Sequence, residues 1–377
     1  MHILQLHNQY FYKGGEDIVI KNEKKMLEQK GHKVNQLIRK NSIEINTLFN
    51  SIKTLINLSY SNQSIEIIEK FLKKNGKPDL VHIHNIFPLW TYSIFKYFYD
   101  RKIPMIVTLH NYRFIWSKIE FFDKDFKKYG LFKNSKLLTF FISKLFNKYN
   151  KYLNYVDNYI CVSKYQKKIF SKKKFIPQKL LLKENPISVK KKFVKWNIKK
   201  NRVIYVGRLS HEKGCSTLLD VWRKWGNEAP MLDIIGDGSQ RKELENLKKK
   251  YQLNKVRFRG NLSHKATQQK ISLAKLLIIP SEWHEPFGLV LHEAFAKGTP
   301  ICSSDIGGQN DFLKNSINGF SFKHKDSKSM LSKLKYFWNK KNKLKNISNY
   351  ISTNYNNNQT TNYRKLIKIY KRVIFKK

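Results

Sequence analysis

Short apolar runs alternate with amphipathic stretches along the first half of the chain. The apolar runs have the length of buried strands, and the stretches between them repeat apolar residues at the helical period. The pattern predicts helices over 16–30 and 65–74, and strands over 3–6, 34–38, 79–84, 103–109 and 158–162. Regular alternation of strand and helix is typical of a parallel sheet covered by helices on both faces.

The same alternation starts again near residue 201. It predicts helices over 213–225, 239–251 and 288–297, and strands over 202–206, 232–235, 256–258, 276–279 and 300–303. The chain is therefore expected to be an α/β protein with two doubly wound, Rossmann-like domains. Ligands bind beyond the carboxyl ends of the strands in such sheets, so we expect the two domains to face a central cleft.

Domain boundaries are predicted where the alternation stops. The lysine-rich stretch 188–200 has a weak structural pattern and is interpreted as a linker. It would join an N-terminal domain, 1–187, to a C-terminal domain, 201–345. The remaining residues, 346–377, are predicted to form a helical tail that returns to the N-terminal domain.

The charge of the chain is strongly positive. Its 377 residues include 74 Lys and Arg against 27 Asp and Glu, a net charge of +47, and 63 of the 74 cations are Lys. Proteins that read nucleic acids rely on Arg for bidentate contacts, whereas Lys is spread over this whole chain. We favour a biased composition and expect no nucleic-acid partner. Attraction to an anionic membrane surface or an anionic substrate is the functional alternative.

The three cysteines, Cys161, Cys215 and Cys302, have no metal-ligand spacing and favour a reducing compartment. The first residues predict a strand rather than a signal peptide, and no apolar run is long enough to span a bilayer. A cytoplasmic protein is expected, free or peripheral on the inner face of the cell membrane. In the segment 133–151 the lysines border one apolar side, which fits an interfacial helix and a helix packed on its own sheet equally well.

The strongest chemical signal is the segment that runs from Glu285 to Ala294. A strand ends before it, and a helix is predicted to start near its proline and glycine. Free backbone N–H groups at a helix start bind anions. These groups are expected to come from Phe287, Gly288, Leu289 and Val290. Glu285 can reach a sugar hydroxyl, and Glu293 in the second turn can accept hydrogen bonds from a vicinal diol such as ribose.

A second group of residues follows the first strand of the C-terminal domain. Arg208 and Lys213 leave a strand end and enter a helix. Two cations there can neutralise a diphosphate leaving group, so no metal is expected. Gly236, in a Gly-Asp-Gly turn after the next strand, either approaches the base of a nucleotide or turns the chain.

In the N-terminal domain, candidate residues follow three of the strands. Gly14 and Gly15 allow a ligand to approach the backbone closely, although a plain tight turn explains them equally well. His110 is expected to be functional, whereas His82 is expected to be a partly buried structural histidine. The histidines, including His84, are not expected to bind metal, because no acidic ligand accompanies them in a recognisable spacing.

These segments resemble a known family. The Glu285-x7-Glu293 element, the Gly207-Arg208-Leu209 and Lys213-Gly214 elements, and Ile235-Gly236-Asp237-Gly238 are similar to the donor domain of the large fourth family of retaining glycosyltransferases. More narrowly, Gly14-Gly15-Glu16-Asp17, the segment Pro78 to Asn85 and Leu109-His110-Asn111-Tyr112-Arg113 resemble the bacterial polysaccharide transferases of that family.

The resemblance implies the GT-B fold, with the acceptor on the N-terminal side and a nucleoside-diphosphate sugar as donor on the C-terminal side. It implies that Glu285 binds the donor sugar and Glu293 the ribose, and that Arg208 and Lys213 hold the diphosphate. Gly15 would approach the phosphates and His110 would lie over the reacting sugar. Transfer with retention to a glycan or lipid-linked glycan, without a cofactor, is the expected activity.

Two alternatives remain beside this reading. A phosphorylase or a sugar-nucleotide epimerase can use the same two-domain scaffold, since fold does not determine the reaction. An epimerase would need acid–base carboxylates around the sugar, and no such set is identified. A basic nucleic-acid-binding protein would show clustered Arg or a reading helix, and neither stands out in the sequence.

Overall fold

The computed structural model describes residues 1–11, 14–45, 57, 60–115, 150–173, 175–356 and 359–375. The chain divides into two compact units. The first contains Met1–Pro186 and Gln359–Lys377, and the second contains Ile187–Asn358. Each unit is built around its own parallel sheet, as the alternating pattern predicts.

The sheet of the first unit has six strands in the order β2-β1-β3-β4-β5-β6. The strands are β1 (His2–Gln9), β2 (Lys33–Lys40), β3 (Leu80–Ile83), β4 (Met105–Leu109), β5 (Asn158–Cys161) and β6 (Leu180–Leu182). The helices are α1 (Gly15–Glu28), α2 (Asn41–Glu44), α3 (Asn62–Asn75), α4 (Ser93–Asp100), α5 (Lys164–Lys172) and, from the end of the chain, α12 (Gln359–Ile374).

The sheet of the second unit also has six parallel strands, in the order β12-β11-β10-β7-β8-β9. The strands are β7 (Lys200–Val206), β8 (Met231–Ile235), β9 (Val256–Gly260), β10 (Ala274–Ile279), β11 (Ile301–Ser304) and β12 (Gly319–Phe322). The helices are α6 (Cys215–Trp225), α7 (Arg241–Lys250), α8 (His264–Leu273), α9 (Leu289–Phe295), α10 (Ser327–Asn339) and α11 (Lys341–Asn354).

The central strands are apolar on both faces because helices cover both sides of each sheet. In β10, Leu276 and Leu277 are fully buried although they point to opposite faces. On α6, Trp222 and Trp225 pack into the same core. Continuous apolar runs are therefore the sequence signature of these strands.

The stretch 188–200 differs from the expected linker, because its backbone and one of its lysines are anchored in the second unit. The Lys192 N–H donates to the Ala296 carbonyl at 3.1 Å. Lys199 is buried, and its ammonium donates to the Ser272 carbonyl at 2.8 Å and to the Thr299 hydroxyl at 3.0 Å. The unit boundary accordingly lies between residues 186 and 187.

The segment 346–377 is divided between the two units. Helix α11, which ends at Asn354, belongs to the second unit, where Leu344, Ile347 and Ile351 join its core. Helix α12 belongs to the first unit, where Leu366 and Tyr370 are buried. The chain therefore returns to the first unit at residue 359 rather than at 346.

None of the helices in the described ranges combines the length and the apolar composition needed to cross a bilayer. Most of the segment 133–151 lies outside the described residues, so membrane association stays a prediction. The three cysteines are buried and free.

Candidate active site

Two loops face each other at the switch point of the second sheet. The strand order reverses direction between β7 and β10, which pair directly, so the loops after these strands share one carboxyl edge. The loop after β7 carries Arg208 and Lys213, and the loop after β10 carries Glu285. A switch point of this kind is where doubly wound sheets bind their ligands.

An ion pair joins the two loops. The Lys213 ammonium contacts Oε1 of Glu285, and the Ser281 hydroxyl donates to the same oxygen at 2.6 Å. The two charged side chains are 23% and 12% exposed, so a ligand can reach them. Within the described part of the chain, the Arg208 side chain has no hydrogen-bond or ion-pair partner. At this edge of the sheet, Arg208 is therefore a cation without a partner among the described residues, whereas the charge of Lys213 is neutralised by Glu285.

A second set of contacts fixes the distance between the same two loops. The Glu282 N–H donates to the Glu212 carbonyl at 3.0 Å, and the Thr217 hydroxyl contacts the Glu282 carboxylate. Gly214 adopts a φ of +70° between these contacts. A side chain at this glycine would overlap the Pro280 carbonyl, so the backbones of the two loops are in direct contact.

The glycine turn after β8 is equally tight. Gly236 has a φ of +129°, and a Cβ built on it would lie 1.9 Å from the Gly207 carbonyl oxygen. The Leu209 N–H donates to the Asp237 carbonyl at 3.0 Å in the same place. Close packing of this turn on the loop that carries Arg208 accounts for Gly236, and a contact with a nucleotide base remains a prediction.

Helix α9 starts one residue later than the sequence predicts. Gly288 is its N-cap with a φ of +83°, and the first helical residue is Leu289. Phe287 lies before the helix and is buried, with its ring stacked on His292 at a centroid distance of 4.6 Å. The Phe287 side chain is therefore part of the core, and only its backbone is left for a ligand.

Glu293 lies in the second turn of α9, as predicted. Its Oε1 is 3.5 Å from Nε2 of His264, at the start of α8. The hydrogen bond to Glu293 raises the pKa of His264 above its ordinary value. Because the Glu293 carboxylate is 14% exposed, its second oxygen can still accept hydrogen bonds from a diol.

In the first unit, His110 and Asn111 lie at the carboxyl end of β4, and His84 and Asn85 lie at the end of β3. A small pocket here is lined by these residues with Tyr10, Ile86, Phe87, Leu109, Arg113 and Phe114. His110 is half-buried, and its Nε2 is 2.9 Å from Nδ1 of His84. The Asn111 amide donates to the Asn85 side chain at 3.1 Å. His110 thus lies at the ligand edge of the sheet, as predicted.

The histidines of β3 are accompanied by an acidic residue, contrary to the sequence-based argument. Glu23, from the buried face of α1, lies with its Oε1 2.9 Å from Nδ1 of His82 and 3.6 Å from Nε2 of His84. Possible metal-ligating atoms of these three residues lie within 4.8 Å of one another. Spacing along the chain does not reveal this cluster, because Glu23 comes from a helix about sixty residues earlier.

Hydrogen bonds already occupy most of this cluster. The Lys183 ammonium is 3.4 Å from Oε2 of Glu23, and the Gln5 amide donates to Oε1 at 3.2 Å. His82 has both nitrogens committed, to the Tyr370 hydroxyl and to the Thr108 hydroxyl, each at 2.7 Å. A buried ammonium already supplies the positive charge that a metal ion would bring. His82 is fully buried, rather than partly buried as expected, and both of its ring nitrogens have hydrogen-bond partners.

The charges in this cluster shift its pKa values. Burial alone would raise the pKa of Glu23, but its interactions with His82 and with the Lys183 ammonium outweigh burial and lower that pKa to about 2. Burial lowers the pKa of His84 well below its ordinary value and that of His110 to about 3. Glu23 is therefore ionised at neutral pH, and His84 and His110 are both neutral.

The loop of Gly14 and Gly15 begins α1 directly. Gly14 is the N-cap, and its N–H donates to Oδ2 of Asp17 at 2.7 Å. His7 binds the other oxygen of Asp17 at 2.9 Å. Asp17 therefore already accepts hydrogen bonds at this helix start, so an approach of Gly15 to a phosphate stays a prediction.

Three residues at these sites, Glu282, Gln309 and Glu23, were not predicted from the sequence. Glu282 and Gln309 form part of the second-unit edge, where a Cβ on Gly288 would lie 2.7 Å from the Cβ of Gln309. Glu23 was missed although a signal existed. It falls between Val19, Met26 and Leu27 on the apolar face of α1, where an acidic residue must find buried partners.

Comparisons with known proteins agree with this geometry. Residues 187–353 match the family described as glycosyl transferases group 1, and residues 14–191 match glycosyltransferase family 4. A 2-deoxystreptamine N-acetyl-D-glucosaminyltransferase of Niallia circulans is 30% identical over 259 residues, which cover 65% of this chain and 64% of that protein. The alignment thus spans slightly under two thirds of that relative.

Two solved structures are similar over nearly the whole chain. Sucrose-phosphate synthase from Thermosynechococcus elongatus has a TM-score of 0.75 at 17% identity and covers 100% of both chains. Anabaena HepE, solved in complex with UDP-glucose, has a TM-score of 0.69 at 17% identity and covers 98% of this chain and 99% of that chain. The two doubly wound sheets are those of the GT-B fold. The first unit is therefore similar to the family 4 glycosyltransferases and the second to the glycosyl transferases of group 1.

Proposed function

We propose that this protein transfers a sugar, with retention of configuration, from a nucleoside-diphosphate sugar to a glycan or a lipid-linked glycan. The carboxyl edge of the second sheet would bind the donor, with Glu293 on the ribose, Arg208 and Lys213 on the diphosphate and Glu285 on the sugar. His110 would contact the reacting sugar. A role in polysaccharide biosynthesis is part of this proposal.

The observation that carries the proposal is the ion pair between Lys213 and Glu285 beside the uncommitted Arg208. A diphosphate competes with the Glu285 carboxylate for Lys213, because it carries more negative charge and more acceptor oxygens. Its arrival would release Glu285, whose oxygens could then accept hydrogen bonds from sugar hydroxyls. Donor binding and the orientation of Glu285 would thus be coupled.

The comparisons suggest which donors to test first. The Anabaena neighbour was solved with UDP-glucose, and the Niallia relative is named for transfer of N-acetylglucosamine. UDP-glucose and UDP-N-acetylglucosamine are therefore the first candidates, followed by UDP-galactose and the corresponding ADP and GDP sugars. The acceptor would be a hydroxyl group of a saccharide.

The direct test is a panel of nucleotide sugars scored by thermal unfolding. A donor present at about 100 times its Kd stabilises the native state by about 2.7 kcal/mol, which raises the unfolding temperature by several degrees. Arg208→Met should reduce this shift, whereas Arg223→Met, on the exposed face of α6, should leave it unchanged. If no nucleotide sugar stabilises the wild-type protein, the proposed donor site is wrong.

Glu293→Ala is expected to weaken donor binding with little change in kcat. Its carboxylate would bind the ribose equally in the ground state and the transition state, and such uniform binding affects KM alone. We expect donor KM to rise by about tenfold, as for loss of one hydrogen-bonded charge. Glu245→Ala on α7, whose ion pair with Arg241 lies on a separate helix, is the control. A fall in kcat with unchanged donor KM would show that Glu293 does not bind the ribose.

Activity is expected to survive removal of divalent cations. Arg208 and Lys213 provide positive charge for the departing diphosphate, which is the role of a metal ion in many other transferases. Initial rates should be equal, within about twofold, in EDTA and in Mg²⁺ at matched ionic strength. Loss of activity in EDTA that Mg²⁺ or Mn²⁺ restores would contradict the assignment of the two cations.

A further inference from the structure

The buried cluster in the first unit is connected to His110 through a single side chain. His84 contacts His110 through Nδ1 at 2.9 Å, and its other nitrogen, Nε2, faces Oε1 of Glu23 at 3.6 Å. This second separation is too long for a hydrogen bond, and Nε2 of His84 is a buried nitrogen without a hydrogen-bond partner. The three groups form a row from the interior to the ligand edge of the sheet.

The two histidines share one hydrogen bond and are both neutral, so one nitrogen of the contact carries the proton and the other a lone pair. The negative charge of the Glu23 carboxylate determines which nitrogen carries the proton. A lone pair on Nε2 of His84 would point at the ionised carboxylate of Glu23, whereas an N–H there is attracted to it. The proton of His84 is therefore on Nε2, and its Nδ1 is the acceptor.

The consequence for His110 follows directly. If Nδ1 of His84 accepts, Nε2 of His110 must donate, and Nδ1 of His110 then carries a lone pair. No described residue forms a hydrogen bond with this Nδ1, and His110 lines the small pocket with Tyr10 and Asn111. Nδ1 is thus a hydrogen-bond acceptor that is left for a ligand.

We propose that Glu23 and His84 are positioning residues that fix the tautomer of His110, so that its Nδ1 accepts a hydrogen bond from a hydroxyl group of the transferred sugar. This inference rests on the proposed role of His110. Lys183, His82 and Gln5 contact the Glu23 carboxylate, and the Tyr370 hydroxyl bonds to the His82 ring. His7, which binds Asp17, is a further titratable group that acts on His110.

Two substitutions of His84 separate this role from simple packing. His84→Phe keeps an aromatic ring between His82 and His110, whose rings lie 4.2 and 5.2 Å from it, but removes the acceptor. His84→Asn leaves a cavity, but its Oδ1 can take the place of Nδ1 as acceptor. We expect His84→Phe to lower kcat by about 10- to 100-fold and His84→Asn to recover most of that loss.

A packing role predicts the opposite order, since Phe fills the space and Asn does not. The assay is release of UDP from UDP-glucose or UDP-N-acetylglucosamine, whichever the panel selects. Donor KM should change much less than kcat in both variants, because the proposed contacts to the ribose and the diphosphate lie in the second unit. His32→Phe, at a partly exposed histidine that contacts Tyr363, is the control. If His84→Asn is the slower variant, the inference is wrong.

The tautomer can also be observed directly without a substrate. In histidine-labelled protein, ¹⁵N NMR distinguishes an N–H nitrogen from one with a lone pair, and comparison with His110→Gln assigns the signals. We expect N–H at Nε2 of His110 in the wild type, and a mixture of tautomers in the double variant Glu23→Gln, Lys183→Met. That variant removes both buried charges, so neither is left unpaired. An N–H at Nδ1 of His110 in the wild type would overturn the inference.

His110→Ala separates this inference from the proposed function. If His110→Ala keeps the wild-type kcat, the role assigned to His110 fails, whatever His84 does. If His110→Ala is slow while His84→Phe is as fast as the wild type, only the positioning role fails. Thermal stabilisation by UDP alone, which lacks the sugar that His110 would contact, should equal that of the wild type in both variants, which separates either result from loss of the donor site.

Discussion

Arg208→Met is expected to lower kcat by about 10²- to 10³-fold, the usual cost of removing one group that stabilises developing charge. Negative charge grows on the diphosphate as the glycosidic bond to it breaks, so a cation in place there lowers the barrier. Of the two cations, Arg208 is the one whose removal is simpler to interpret. Its side chain has no charged partner in the described part of the chain, so the substitution leaves no ion stranded.

Lys213→Met is less easily interpreted than Arg208→Met, because it leaves Glu285 without its partner. The freed carboxylate, only 12% exposed, would gain or lose contacts of its own. Arg208→Lys should recover only part of the rate, since an ammonium does not reproduce the bidentate geometry of a guanidinium. Steady-state kinetics of UDP release with both Arg208 variants measures these effects.

The matched control for Arg208→Met is Arg223→Met, which removes an exposed arginine that pairs with Asp220 on α6. We expect its kcat to stay within about twofold of the wild type, as for a surface ion pair away from the chemistry. If Arg208→Met raises donor KM without lowering kcat, Arg208 binds ground state and transition state equally and does not assist departure of the diphosphate.

The sheets could be predicted from sequence because their strands are buried on both faces. Leu276 to Ile279 is a continuous apolar run, and such runs between amphipathic stretches indicate parallel strands. Among the elements that the sequence did not predict, two lack a clear apolar pattern. Helix α8 is mostly polar, and β12 is a short Gly-Phe-Ser-Phe run without clear periodicity. Patterns of burial reveal central elements better than edge elements.

The residues of the proposed donor site could also be placed from sequence, because each motif follows a strand and parallel strands end at one edge. The contacts among them could not. Pairing of Lys213 with Glu285 depends on β7 and β10 being neighbours, which is a property of strand order. The same holds for Glu23, which reaches His82 and His84 only because α1 packs over the sheet. Tertiary arrangement determines these contacts, and local patterns do not encode it.

Two glycines flank α6, and substituting each with alanine separates the effect of the contact between the two loops from the effect of backbone strain. Gly214 precedes the helix with a φ of +70°, and Gly226 follows it with a φ of +68°. Their ψ angles differ. Gly214, with ψ +22°, is in the left-handed helical region, where alanine costs about 1 kcal/mol, whereas Gly226, with ψ −146°, is in a region that is essentially restricted to glycine, where alanine costs about 1–3 kcal/mol. The two sites differ in their surroundings. A Cβ at 226 meets nothing within 4 Å, whereas a Cβ at 214 would lie 1.9 Å from the Pro280 carbonyl oxygen.

Gly226→Ala is therefore expected to lower the free energy of unfolding of the second unit by about 1–3 kcal/mol, from backbone strain alone, and to leave kcat unchanged. Gly214→Ala should cost about 2–4 kcal/mol, since overpacking against a backbone atom adds to the strain. It should also lower kcat. The loop after β10 must move to make room for the new side chain, and this movement would separate Glu285 from Lys213. Urea denaturation and UDP-release kinetics of the two variants measure both effects. Equal losses of stability in the two variants, with full activity in Gly214→Ala, would mean that the loops are not in fixed contact.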